Sequence, residues 1–361
     1  MKREKSQKKD KLHGFSATLL KWSKEKNDRQ MPWKGERDPY KIWLSEIILQ
    51  QTRVEQGSKY YERFIDAFPD VHQLADASEQ SIYKYWEGLG YYTRCKNLIA
   101  TARYVSKNLE GNFPGSYEEI KKLKGIGPYT AAAIASFAFN EKRAVVDGNV
   151  FRVLARIFGI EEPIDTTEGK KTFNWLANKL IDKGNPALYN QAIMDFGAVV
   201  CKPVPICGQC PFKKKCKAFL SDKIFSLPVK GKKLLIRKRW FNYVLIEHDE
   251  KLALRQRREK DIWNNLFEFL LVESGKGLNE KEIIKEVKKK RWIDADSYEI
   301  EYVSQVFKQQ LSHQFIEGRF TKFKVDKKPK LPSDILWVRK KEIKKYAFPM
   351  FINQHLRKIH I

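Results

Sequence analysis

The 361-residue chain contains no stretch approaching the roughly 18 consecutive apolar residues that a membrane-spanning helix needs, which excludes functions that depend on one. Its opening residues, MKREKSQKKDK, are charged but lead into no apolar core, so they do not read as a secretory signal. We read them as a basic arm and expect a soluble, cytoplasmic monomer, associated with the nucleoid if the source is bacterial, with no membrane partner. Internal repeats and long low-complexity tracts are missing, and with 42% hydrophobic and 13% aromatic residues the composition is far from that of disordered chains. Acidic residues are few: 44 Asp and Glu face 70 Lys and Arg, a formal charge of +26. A surplus of that size attracts polyanions, although a lysine-rich solvated surface gives the same count. Cysteine is scarce too, with five residues, of which Cys201, Cys207, Cys210 and Cys216 lie within sixteen positions. In a reducing compartment such a cluster points to metal before disulfides, and Cys95, far from the others, reads as a core thiol.

Two composition regimes divide the chain. Residues 12–200 alternate between helical apolar spacing and short Gly/Pro turns, as in the Trp43/Ile47 and Leu44/Ile48 pairs and the alanine-rich run Thr130–Phe139. Residues 221–236, with Pro228, Gly231 and many lysines, have the character of a linker. Beyond them Trp240–Glu247, Lys251–Gln256, Gln314–Val325 and Ile335–Val338 alternate as strands, and Glu280–Lys290 reads as a helix. The expected architecture is therefore multidomain: an all-α domain over 12–220 that includes the cysteine loop 201–216, a linker over 221–236, and an α+β domain over 237–361.

Within the helical part, YEEIKKLKGIGPYTAAAIASFAF (117–139) predicts a short helix ending at Lys124, a sharp turn at Gly125-Ile126-Gly127, and a second helix with Pro128 at its first position. Glycine allows close backbone approach, and the helix N-terminus offers free N–H groups, so the turn suits a backbone phosphate; a plain helical hairpin with a glycine cap is the alternative. Two carboxylates stand out. Glu46, in WLSEIILQ, is flanked by apolar residues whose burial raises a carboxyl pKa and suits a general acid. Asp147, in VVDGN, is placed to cap the helix NVFRVLARIF and stay ionised. Taken singly, a snorkelling glutamate and an ordinary turn aspartate fit the same strings. Cys201-x5-Cys207-x2-Cys210-x5-Cys216 suits either tetrahedral zinc or a [4Fe–4S] cluster.

LKGIGPYTAAAIASFAF followed by VVDGNVFRVLAR resembles the helix–hairpin–helix DNA glycosylase superfamily. DPYKIWLSEIILQQTRVEQ and WEGLGYYTRCKNL are similar to one branch, the adenine DNA glycosylases (the MutY family), over about Phe15 to Cys216 and more weakly beyond. The resemblance implies base excision repair: hydrolysis of the N-glycosidic bond of adenine mispaired with 8-oxoguanine or guanine in double-stranded DNA. Glu46 then aligns with the acid that protonates adenine, Asp147 with the charge-stabilising aspartate, and Tyr129 and Asn149 with supporting pocket residues. Related glycosylase-lyases carry a lysine where this chain has Tyr129, and a phenol forms no Schiff base, so a monofunctional enzyme that leaves an abasic site is expected. By the same resemblance Gln51 wedges beside the orphaned base, Thr52 contacts it, Tyr91 intercalates from the other side, and Gly125 and Gly127 hold phosphate. It favours a [4Fe–4S] cluster over zinc, although the family's first cysteine spacing is x6 and this chain has x5. RQRREKDIWNNLFEFLLVES resembles a Nudix-like domain without the R-E-x-x-E-E metal helix, implying recognition in place of pyrophosphate hydrolysis, with Ser312 and His313 detecting oxoguanine.

Overall fold

A computed structural model describes residues 14–231, 235–294 and 297–360. The expected basic arm, the predicted domain start at residue 12 and linker residues 232–234 lie outside them. The chain forms two compact units, one from Met1–Asp76 and Asn97–Lys232, the other from Ala77–Lys96 and Lys233–Ile361.

The described part of the first unit is helical, as the periodicity predicts: α1 (Phe15–Lys26), α2 (Pro39–Leu49), α3 (Val54–Ala67) and α4 (Val71–Asp76) come before the excursion into the second unit. That excursion carries α5 (Glu79–Trp86) and the start of α6 (Tyr92–Asn108), which runs across the boundary. The first unit then resumes with α7 (Tyr117–Ile120), α8 (Pro128–Phe139), α9 (Gly148–Phe158), α10 (Thr167–Leu180), α11 (Pro186–Val199) and α12 (Lys217–Leu220). The central helix is α2. Asp38 accepts the Tyr40 N–H at 2.8 Å, Pro39 takes the first position, and every residue from Ile42 to Ile48 is buried, including Ser45 and Glu46. A helix apolar on all sides has no solvent face, and α2 is accordingly enclosed. By contrast α9 is amphipathic, and its Val150, Val153, Leu154 and Ile157 join Phe15, Leu19 and Trp22 of α1 and Ile193 and Phe196 of α11 in one core.

The second unit is built on one sheet of order β3-β2-β1-β7-β5, with β4, β6 and β8 pairing β1, β7 and β2. Its strands are β1 (Arg237–His248), β2 (Lys251–Gln256), β3 (Phe267–Glu268), β4 (Leu270–Ser274), β5 (Tyr298–Val303), β6 (Phe307–Gln310), β7 (Gln314–Val325) and β8 (Ile335–Arg339). The long pair β1 and β7 is parallel, Asn242 opposite Arg319; the other pairs are antiparallel. Side chains alternate between faces. Val244, Ile246 and Phe323 meet α13 (Glu280–Lys289) through Ile283 and Val287, while Tyr243 and Phe320 stack against Phe351 and His355 of α14 (Met350–Lys358). A capping box at Asn279 and Glu282 starts α13. The strands at 240–247, 251–256, 314–325 and 335–338 and the helix at 280–290 match expectation within a few residues.

Two segments differ from the sequence reading. Ala77–Lys96, expected inside the helical domain, packs in the second unit. There Asn265 Nδ2 donates to the Tyr83 hydroxyl at 2.8 Å, Phe348 N–H to Glu87 Oε1 at 2.8 Å, and Lys84 Nζ to the Tyr346 carbonyl at 3.1 Å. The first part of the expected linker is built into the first unit, where Leu227 is buried and Ile164 N–H donates to the Val229 carbonyl. Leu227 supplies the apolar surface that a free linker lacks.

Candidate active site and cysteine loop

The hairpin turn departs from prediction in one detail. The first helix ends at Ile120, four residues before Lys124, and a series of turns carries the chain to Gly125. Gly125 adopts φ +77°, and a Cβ there would lie 2.5 Å from the Asn97 Cβ, so both conformation and space demand glycine. Gly127, by contrast, faces open space at the cap of α8, with Pro128 at the first helical position. The exposed, uncapped N-terminus of α8 is thus free to meet an anion.

Glu46 (α2), Tyr129 (α8), Asp147 and Asn149 (α9) line one cavity of about 380 Å³. Its wall also includes residues 29, 31 and 33–37, Thr52, further residues of α2 such as Ile42 and Leu49, and Leu188, Gln191 and Met194 of α11. Glu46 is 6% exposed and hydrogen-bonded to the Tyr129 hydroxyl. Burial, reinforced by the nearby Asp147 charge and only partly offset by Tyr129, pushes its carboxyl up to about 7. Burial drives the Tyr129 phenol well above its ordinary value, so it is a neutral hydrogen-bonding group.

Asp147 caps α9, its Oδ1 accepting Val150 N–H at 2.7 Å and its Oδ2 accepting Asn149 Nδ2 at 2.9 Å. Burial, the largest influence, leaves its pKa above the ordinary aspartate value although these donors and Arg152 pull it down, so burial opposes the ionised cap expected from the sequence. Asn149 Oδ1 in turn accepts Arg152 Nη2 at 2.8 Å, and Arg152 reaches the Gly197 carbonyl at 2.8 Å and the Cys201 carbonyl at 2.7 Å. The sequence reading missed Arg152, Gln191, Lys34 and Asp195. Gln191 is a cavity-lining amide whose Nε2 is buried without a partner. Nothing local in the sequence marks these residues, because their partners lie on distant segments.

Cys201, Cys207, Cys210 and Cys216 line a single small cavity together with Ile157, Val200, Ile206, Phe219 and Ile224. Cys201 therefore reaches the set despite the shortened first spacing. All four are free thiols. Burial raises Cys201 and Cys216 and pushes Cys210 up to about 12, so a set of thiolates here needs compensating positive charge. One turn beyond Arg152, Arg156 is 2% exposed; it donates to the carbonyls of Lys202, Pro203, Ile224 and Leu227 and faces Cys201 Sγ at 3.7 Å. Among the described residues no three His, Cys, Asp or Glu side chains close on a single ion-sized point. The four sulfurs border an apolar cavity of about 20 Å³, and four cysteines are the donor set that a polynuclear cluster takes.

Gln51 is exposed in the left-handed region at φ +57°, directly after α2, while Thr52 turns into the cavity. In the second unit Tyr91, also left-handed at φ +49° and 44% exposed, hydrogen-bonds through its hydroxyl to Ser312 Oγ. Both residues and His313 border a cavity of about 460 Å³ with Trp263, Asn264 and Gln309. The structure thus joins Tyr91 to Ser312, which the sequence reading had treated separately.

Residues 44–178 match the model of the HhH-GPD superfamily base excision DNA repair proteins, and residues 242–358 match the NUDIX domain. The chain is 39% identical over 261 residues to the adenine DNA glycosylase of Buchnera aphidicola subsp. Baizongia pistaciae, covering 71% of this chain and 73% of that protein. It is 39% identical over 214 residues to the human adenine DNA glycosylase, covering 56% of this chain and 39% of that protein. Among solved structures, a thermostable thymine-DNA glycosylase superposes with a TM-score of 0.55 at 30% identity, covering 59% of this chain and 99% of its own. A trapped endonuclease III–DNA intermediate superposes with a TM-score of 0.51 at 20% identity over 58% and 98%, a likeness of fold. With these carboxylates in one cavity and a relative of this identity matched over most of its length, the chain belongs to the adenine DNA glycosylases of the helix–hairpin–helix superfamily, enzymes of base excision repair.

Proposed function

We propose that the enzyme is a monofunctional glycosylase that releases adenine paired with 8-oxoguanine or guanine and leaves an abasic site. The observation that carries this reading is the pair of unlike carboxyls sharing one buried cavity. Glu46 has a single hydrogen-bonding neighbour and its proton is retained to near neutrality; Asp147 is surrounded by N–H donors that favour the anion. One proton shared by the pair therefore resides on Glu46, which protonates the leaving base, while Asp147 faces the positive charge that develops on the sugar. Tyr129 orients Glu46, Asn149 orients Asp147, and the unpartnered amide of Gln191 suits a ring-nitrogen acceptor on the base. The cavity's lysine, Lys34, is engaged at its Nζ, which lies 2.5 Å from the Arg29 carbonyl and 3.5 Å from Asp195 Oδ2, and so does not stand free to attack the sugar.

The backbone N–H groups of Gly127 and Tyr129, with Gly125 allowing close approach, would hold a DNA phosphate. Gln51 and Thr52 would fill the helix vacated by the extruded adenine. The four cysteines would hold a [4Fe–4S] cluster, which supplies positive charge to the thiolates and pins the basic loop of Lys213, Lys214 and Lys215. In the second unit the Tyr91–Ser312 pair, with His313, would read the base opposite adenine. The test is excision from duplexes carrying adenine opposite oxoguanine, guanine or thymine, followed by alkali. Oxoguanine and guanine duplexes should be cut only after alkali, and Glu46→Gln should abolish adenine release while duplex binding persists. Borohydride trapping at the level of a true lyase would overturn the monofunctional assignment.

A further inference from the structure

A third of the residues lining the base cavity come from one loop, since 29, 31 and 33–37 lie between α1 and α2. Trp33 of this loop packs edge-on against Tyr61 of α3. Its polar side chains are gathered by Asp195. This carboxylate is fully buried on α11 and does not line the cavity, yet three side chains of the loop converge on it. Arg29 Nη1 meets its Oδ1 at 2.8 Å, Asn27 Nδ2 meets its Oδ2 at 2.9 Å, and Lys34 Nζ lies 3.5 Å from the same oxygen. Asn27 Oδ1 also accepts the Arg29 N–H at 3.3 Å, and Lys34 reaches back to the Arg29 carbonyl, so the loop is tied to itself as well as to the helix. A carboxylate taken wholly out of water is stabilised only when paired and hydrogen-bonded, and here the partners come from the segment that must stay closed.

We propose that Asp195 is a positioning residue that holds loop 27–37 shut over the base cavity and so keeps water away from the Glu46 carboxyl. The inference rests on Glu46 acting as the acid. The groups facing Glu46 are Tyr129 from α8 and Asp147 from the cap of α9; the loop adds Arg29, Lys34, Glu36 and Arg37 to the cavity wall. Of the influences on its acidity, removal from water is the largest. A loosened loop therefore acts mainly by rehydration, which returns the carboxyl toward ordinary glutamate acidity and deprotonates it at the working pH.

The experiment follows single-turnover excision of adenine opposite 8-oxoguanine against pH for the wild-type protein, Asn27→Ala, Arg29→Lys and Asp195→Asn, with thermal unfolding of each. Loss of activity on the alkaline side should move to lower pH, by about one unit for Asp195→Asn, which is about tenfold in rate on that limb, and by less for Asn27→Ala. Hydrogen exchange over residues 27–37 should speed up in the same order. An unmoved alkaline limb, or an equal loss of rate at every pH, overturns the proposal. If Asp195→Asn does not fold, Asn27→Ala decides, since it removes the Asn27 hydrogen bonds to Asp195 and Arg29 and leaves both ion pairs. Full activity of Glu46→Gln in the same assay would instead defeat the acid assignment, and the two failures are thereby distinguished.

Discussion

A carboxyl that must leave water to become a proton donor destabilises the fold once it ionises, and Glu46 is in that position. Its folded pKa of about 7 lies above the 4.5 of an ordinary glutamate. Between those values the folded chain keeps a proton that the unfolded chain has released. Stability therefore falls as pH rises through that window and stays reduced above it, by on the order of 3 kcal/mol. Glu46→Gln should thus raise the melting temperature at pH 8, with the gain vanishing near pH 5, while abolishing excision at both; thermal scans at the two pH values check it. A melting temperature unchanged at pH 8 would mean that burial does not raise the carboxyl's pKa. The surroundings of Glu46 and Asp147 were legible because each sits in a contiguous string whose neighbours set them: apolar flanks for Glu46, a Gly-containing break before a helix for Asp147; Tyr129 was reached through the family resemblance alone. Asp195 and Arg29 were not, since the two are 166 residues apart in sequence and neither has a telling neighbour.

Among the elements, α9 joins the chemistry to the cysteine loop. Its cap is Asp147, its second turn supplies Arg152 to Asn149 and the Cys201 carbonyl, and Arg156 one turn on gathers the backbone of residues 202, 203, 224 and 227. The planar fork of arginine offers five donors, which a lysine cannot replace. If the four cysteines hold the proposed cluster, Arg156→Lys should lower the iron bound per chain and the temperature at which the visible absorbance of the purified protein is lost. Retention of full iron content with unchanged thermal loss would show that the loop does not depend on this residue. The amphipathic pattern of α9 and its aspartate cap were readable from NVFRVLARIF, whereas an arginine turned inward looked like any solvated charge. Short strands were similarly hidden: Phe267–Glu268 and Phe307–Gln310 are too brief to show alternation, and β4 and β5 exist through their pairing with β1 and β7.

For the whole molecule the formal charge of +26 sets how binding responds to salt. Contacts to some six phosphates would cost about a thousandfold in affinity between roughly 50 and 200 mM salt, nearly independent of the mispair. Fluorescence titrations with matched and mispaired duplexes should give parallel lines of log affinity against log salt, and a flat response would argue against phosphate-dominated binding. Two-part organisation was legible from the shift in composition after the cysteines. The boundary was not, because the membership of Ala77–Lys96 is decided by hydrogen bonds to residues of the far end of the chain, such as Asn265 and Phe348.

That membership sets an order of events during synthesis. Ala77–Lys96 emerges long before the strands it joins, and the first unit is interrupted at Asp76 and resumes at Asn97. While the ribosome completes the cysteine loop and the sheet, this segment has buried side chains such as Ile82 and Trp86 but not yet the partners at Asn265, Tyr346 and Phe348. The second unit is therefore completed only when the last third of the chain has been made, because one of its pieces, Ala77–Lys96, is supplied from the other side of the cysteine loop.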